Sequence, residues 1–307
     1  MRSHHEKTRF STIFIIVFIN QGALSMSAAP TAGSIMEIGH INLNVPSQDA
    51  ALTYYVAALG LTRDPEAMTG TGNMWINVGA SQFHLPSRQP TQRHRGTVGL
   101  VMPCEASGRH RLLQRLQRAQ DALRGTLFSF DESDECVNVQ CPWGNHMRLH
   151  PPSQQLLGAS TLGMAYIEFN VPPGTAQLIG SFYATVIGAA VAHGDNQPIF
   201  AGVSGSSVRV LCGQYQALIF RETALPLPEF DGYHIQITLS DFPAIYRRLA
   251  DMRLITRGSV RDEEYRFTDI VNIEDGRVLF QVEHECRSAQ HPLHGRHLAN
   301  CGAALQL

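Results

Sequence analysis

Two hydrophobic periods take turns along this chain. Short runs carry apolar residues at every second position, and longer runs repeat them every three or four. The first kind predicts strands, whose successive side chains point to opposite faces, and the second predicts helices buried along one side. Within IGHINLNVP the stretch Glu37–Val45 reads as a strand, and SQDAALTYYVAALGL (Ser47–Leu61) reads as a helix with Ser47 as N-cap and Gly60 near its end. NMWINVG and SQFHLP follow as two strands separated by tight-turn residues.

The order then restarts. GTVGLVMP (Gly96–Pro103) opens a second unit, whose helix GRHRLLQRLQRAQDALR has Leu112, Leu113, Leu116, Ala119 and Leu123 along one stripe. The arginines on its other face read as a solvated surface. CVNVQCPWGNHMRLH (Cys136–His150) closes the unit as a hairpin turning at Pro142–Asn145. After the linker-like PPSQQLLGAST (Pro151–Thr161), a third unit runs through MAYIEFNV, TAQLIGSFYATVIG, SSVRVLCG and QALIFRE. A fourth runs through YHIQITL, DFPAIYRRLADMRL and strands ending in GRVLFQVEHE, with Phe242, Ile245, Leu249 and Met252 on one helix face.

The order strand, helix and three strands therefore occurs four times. One such unit leaves a sheet face exposed, and pairing two units closes a curved sheet around a cavity. The expected class is α+β, with four βαβββ modules paired into two tandem domains. Neighbours in sequence are expected to pair, giving domains over 36–150 and 162–287, a linker over 151–161 and a tail over 288–307 packed across the domains.

Composition narrows the chemistry. With 307 residues, 44% hydrophobic and 16% charged, the chain has the length for two domains and the apolar content for a sizeable core. A formal net charge of -2 gives no basis for bulk binding to nucleic acid or an anionic membrane. Lys7 is the only lysine, so no phosphate-loop or Schiff-base lysine exists beyond it. The six cysteines form no CxxC pair, and no GxSxG elbow is present. Arg2, Lys7 and Arg9 precede the apolar run Phe10–Ile19 and then small residues, an order resembling a cleavable signal over 1–29. That reading implies the secretory pathway or an organelle; a start at Met26 would instead imply the cytoplasm. No later segment looks long enough to span a membrane.

The βαβββ order, GHINLNV with its following YYVAALGL, and the closing CPWGNHMRL together resemble the vicinal oxygen chelate superfamily. That group includes glyoxalase I, bleomycin resistance proteins and extradiol dioxygenases. The likeness covers about residues 36–150, and more weakly about 162–287. It implies a divalent metal, such as Fe, Zn, Ni or Mn, held by one residue from each of four strands of a paired domain. Carried onto this chain, the first domain offers His40, His84, Thr97 and Arg148. His40 and His84 would hold the metal or move a proton, and Arg148 would stabilise developing negative charge. The second domain offers Tyr166, Arg221 and His234 as substrate-binding positions, with Gln281 or Glu283 at its last corner. Both rings look broken. Arg148 and Arg221 equally fit buried ion pairs with Glu37, Glu168 or Glu283. His291, His294 and His297 could contact a metal if helical, but Pro292 and Gly295 argue for an irregular tail.

Two functions from different classes follow from the resemblance. One is a metal-assisted lyase, isomerase or dioxygenase acting on a small oxygen-rich molecule. The other is a metal-free protein that binds or sequesters a small molecule, as bleomycin resistance proteins do; a homodimer fits either.

Overall fold

The computed structural model describes residues 33–67, 72–103, 106–193 and 206–300. The expected targeting segment, Met26, Cys104 and Cys301 lie outside these residues. All four modules form. The first contains β1 (Ile35–Asn42), α1 (Gln48–Ala51), β2 (Thr62–Arg63), β3 (Asn73–Val78) and β4 (Ser81–Pro86). The Ser47 hydroxyl caps α1 by accepting from the Ala50 amide at 3.2 Å. The helix then widens over Leu52–Ala58, where the Leu59 amide reaches back five residues to the Tyr54 carbonyl at 3.0 Å. Gly60, at φ +77, ends it in the left-handed region that disfavours a Cβ.

The second module contains β5 (Gly96–Val101), α2 (Ala106–Ala122), β6 (Ser129–Glu132), β7 (Val137–Gln140) and β8 (His146–His150). Leu112, Leu116, Ala119 and Leu123 are buried as their spacing predicts, and Leu113 is partly buried against the same core. The linker holds one helical turn, α3 (Gln154–Leu157). The third module contains β9 (Gly163–Val171), α4 (Ala176–Phe182) with its own wide turn over Tyr183–Ile187, β10 (Val191–His193), β11 (Ser207–Cys212) and β12 (Gln216–Glu222). The fourth contains β13 (His234–Leu239), α5 (Phe242–Asp251), β14 (Ile255–Ser259), β15 (Glu264–Val271) and β16 (Val278–Ser288).

Which modules share a sheet differs from expectation. One eight-stranded sheet runs β14-β15-β16-β13-β1-β4-β3-β2 and the other runs β10-β11-β12-β9-β5-β8-β7-β6. The first module therefore pairs with the fourth, and the second with the third. The seams are antiparallel: β1 against β13 places His40 opposite Gln236, and β5 against β9 places Gly99 opposite Tyr166. The physical reason lies in the opening strands. Each has one edge taken by its own module and one edge free, and any other opening strand can satisfy that free row of N–H and C=O groups. Gln216 stitches the sheets together: its carbonyl accepts from the Ile38 amide at 2.9 Å and its amide donates to the Met164 carbonyl at 2.8 Å.

Gly99 shows how tightly the second seam is packed. A Cβ on it would lie 2.0 Å from the Tyr166 ring, which has no room to move because Tyr166 is 1% exposed. Gly99→Ala is expected to cost about 2–3 kcal/mol as overpacking, read as a lower urea midpoint.

His94 gives the fold a pH dependence. It is buried, donates from Nε2 to the Glu168 carbonyl at 2.7 Å, and packs edge-on against Phe169 and Tyr233. Burial lowers its pKa to about 4, against the partial support of the Glu168 carbonyl. The unfolded chain binds this proton below about pH 6.5 while the folded protein resists it to about pH 4, so stability falls as pH drops through that window. The slope should approach about 1.4 kcal/mol per pH unit from this group alone, and His94→Phe should flatten it in acid denaturation by one proton.

Candidate metal centre

Three histidines that the sequence places in two separate domains meet on one sheet. His40 comes from β1, His84 from β4 and His234 from β13, and their ligand atoms all lie within 4.8 Å of one another. Among the described residues this is the only group of histidine, cysteine or carboxylate side chains so arranged. The topology explains the convergence. β1 lies between β4 and β13, so strands from the first and last modules are immediate neighbours.

Each ring is held in place. His40 is 2% exposed, with Trp75 edge-on at 5.0 Å between centroids and His234 at 5.5 Å. Its Nε2 has no hydrogen-bond partner, although a buried polar atom ordinarily finds one. His84 stacks flat on Trp75 at 3.8 Å and pairs through Nε2 with the Asn73 side-chain oxygen at 2.7 Å. That contact places the His84 proton on Nε2 and leaves Nδ1 with a lone pair. His234 lies with Nε2 3.2 Å from Glu285 and Nδ1 3.6 Å from Glu283.

Burial favours the neutral form of His40 and His84. Burial holds His40 well below the ordinary histidine pKa, outweighing the attraction of Glu285. Burial likewise brings His84 down to about 3. Neutral imidazole is the form that binds a metal.

The fourth corner is a carboxylate pair under arginine control. Strand alternation puts Glu283, Glu285 and Arg287 of β16 on one face. Glu285 is 2% exposed and receives Arg266 and Arg287, the latter at 2.5 Å, while Arg266 also meets Glu283 at 2.5 Å. Burial alone would raise the Glu285 pKa; the neighbouring His40, His234, Arg287 and Arg266 outweigh it and hold the carboxyl well below the usual range. Gln281, the other expected corner, is exposed and donates to Asp269 at 2.8 Å. Glu285, Asn73, Arg266 and Arg287 were missed from the sequence. The alternation Glu283–Glu285–Arg287 on β16 was a legible signal for two of these four, Glu285 and Arg287, whereas Arg266 and Asn73 come from other strands.

The remaining expected residues sit on the other sheet, which corrects the grouping of Thr97 and Arg148 with His40 and His84, and of Tyr166 and Arg221 with His234. Thr97 and Arg148 occupy β5 and β8, and Tyr166 and Arg221 occupy β9 and β12, so these four corners belong together. Thr97 and Arg148 were expected beside His40 because neighbours in sequence were paired; β5 instead bonds to β9. Arg221 donates to Glu168 at 3.1 Å in a buried ion pair, one of the alternatives the sequence left open. Arg148 bonds to the Tyr166 hydroxyl, which also meets His150 Nε2 at 3.0 Å. This second ring holds its own ion pair and hydrogen bonds, lines a smaller cavity of about 290 Å³ through Thr97 and Arg148, and has no histidine at any of the four positions.

A cavity of about 900 Å³ is lined by one of the three histidines, His40. His40, Trp75, Gln236 and Arg287 line its floor, and residues of the C-terminal tail line its far side. Gln236 lies across Gly39, where a Cβ would meet its side-chain oxygen at 1.7 Å.

Solved structures share this fold. A dioxygenase candidate from Bacillus subtilis aligns with a TM-score of 0.55 at 14% identity, over 84% of this chain and 86% of its own. Glyoxalase I from Zea mays aligns with a TM-score of 0.54 at 11% identity, over 81% and 92%. The chain has the vicinal oxygen chelate fold. No family model and no curated protein matches the sequence. At these identities the likeness concerns the fold, and with it the α+β class and the tandem arrangement of modules. Among the described residues no helix is long and apolar enough to cross a membrane.

Proposed function

We propose that this chain is a divalent-metal enzyme of the glyoxalase and dioxygenase kind, acting on a small molecule with two adjacent oxygens. The observation that carries the reading is the convergence of three histidines, of which His40 lines a cavity and both His40 and His234 have a buried Nε2 without a hydrogen bond. His40, His84 and His234 would hold the metal, an all-imidazole set suited to Zn, Fe, Ni or Cu. When bound, the metal supplies Lewis-acid polarisation of the substrate oxygens.

The chain's own residues do the rest. Asn73 holds His84 in one tautomer, and Trp75 fixes its plane. Glu285 stays ionised and is too weak a base to take a proton near neutrality; its part is to orient His234 and balance charge. Arg287 lines the cavity and takes the anion-stabilising part that the sequence assigned to Arg148. The argument for a metal-free binder was a broken ring, and it weakens once His234 stands beside His40 and His84.

The test is elemental analysis of purified protein after exposure to zinc, nickel, manganese and ferrous iron. One equivalent of metal, lost in the His40→Ala/His84→Ala double variant, is the expected result. No bound metal from any of the four would overturn the reading in favour of metal-free binding.

A further inference from the structure

After β16 the chain turns back across its own sheet. Hydrogen bonds from the His291 amide to Ser288 at 3.2 Å and from the His294 amide to His291 at 2.8 Å make the bend, and Gly295 takes φ +70. From there the segment crosses the cavity mouth and reaches the β3–β4 hairpin of the first module. Asn300 exchanges hydrogen bonds with the Gly79 backbone at 2.9 and 3.1 Å, and Asn77 donates to the Ala299 carbonyl at 2.8 Å. The expected tail thus lies over one sheet and bridges its two modules.

The middle of this strap is tied by charge. His294 meets Glu37 at 3.0 Å. Arg296 reaches Glu66 at 3.1 Å and also grips Asp64. Asp64 is 1% exposed and also accepts from the amides of Glu66 and Ala67 and from the side chain of Gln82 at 2.7 Å. No residue of the strap belongs to the buried core, and Leu293 is 50% exposed. A segment held by a few polar contacts, with Leu298 and Ala299 only partly buried, opens locally at lower cost than the sheet beneath it.

The strap also forms one wall of the cavity. Leu293, His297 and Leu298 line the same cavity as Trp75 and His40. The histidine end is polar and the strap end offers leucine side chains against a tryptophan.

We propose that the segment 289–300 is a gate over the histidine cavity, with Arg296 on Asp64 and Glu66 as its latch, selecting molecules with an apolar body behind a two-oxygen head. The proposal rests on the metal-enzyme reading for the orientation of that head. The latch itself does not depend on it. Arg296 is a positioning residue: it touches two carboxylates of the wall and acts by holding Leu298 and His297 in place.

The experiment uses the full chain and two readouts. The first is hydrogen exchange of strap amides in the wild type, Arg296→Gln and Arg296→Lys. The second is stopped-flow binding of 2,3-dihydroxynaphthalene, an apolar probe with adjacent oxygens, followed by quenching of tryptophan fluorescence in zinc-loaded protein. Strap amides should exchange far faster than those of β1 and β13, and slow when the probe binds. Arg296→Gln should speed both strap exchange and probe association about three- to tenfold, and Arg296→Lys should restore most of the difference. Protection of β1 and β13 should stay unchanged, which separates gate opening from general destabilisation.

Two results would overturn the gate. One is strap amides as protected as those of β1; the other is exchange and association rates in Arg296→Gln equal to wild type. If no metal binds, the enzyme reading fails, and the exchange arm still decides the latch.

Discussion

Zinc affinity should fall more than about 100-fold in His234→Ala, beyond the 10–100-fold that loss of an outer partner of a ligand costs. The same loss is expected for His40→Ala, because His40 and His234 meet across one seam although they lie in the first and fourth modules. Arg148→Gln and Thr97→Ala should leave zinc binding unchanged, since both residues sit on the other sheet. Competition with a chromophoric zinc chelator measures all four. The comparison tests the module pairing as much as the metal. If Arg148→Gln lost zinc and His234→Ala kept it, the first and second modules would be the true partners. The variants should remain folded, because removing an imidazole from this site takes away no apolar core residue and leaves no charge unpaired that was paired only to it.

Arg266→Met should destabilise the metal-free protein by about 3 kcal/mol in urea denaturation. Arg266 contacts Glu264, Glu283 and Glu285, and the Glu285 side chain is 3% exposed. Removing the guanidinium strands negative charge in a dry place, where solvent cannot replace it. Arg287 still reaches Glu285 at 2.5 Å, which keeps the loss from growing larger. Methionine is chosen to keep the volume, so the effect reads charge and not a cavity. Zinc should recover part of the lost stability, because a cation on the adjacent histidines restores the local balance. An Arg266→Met protein as stable as wild type would mean that Glu285 protonates freely there, against the strong depression of its pKa. Arg124, paired with Asp121 on the surface at 81% exposure, is the control, and Arg124→Met should show no measurable change.

Taken alone, the sequence determined the parts. Period-two and helical-period apolar patterns mark every module, and the buried faces of α2 and α5 follow their stripes. Ser47 and Gly60 mark a helix's ends because capping and left-handed turns depend on residues a few positions apart. His40, His84 and His234 also stood out in sequence, since few other side chains bind a metal with nitrogen.

Tertiary structure alone decided who meets whom. The free edge of an opening strand is a row of backbone groups common to all four modules, and apolar side chains at the seam serve any partner equally well. A local pattern therefore cannot choose between β5 and β13 as the neighbour of β1. That choice moved His234 beside His40, moved Thr97 and Arg148 away, and turned two broken rings into one histidine cluster and one ion-pair network. The arginines around Glu285 and the strap over the cavity depend on the same choice, because Arg266, Arg287 and Arg296 act on this site only once the chain's last module folds back onto its first.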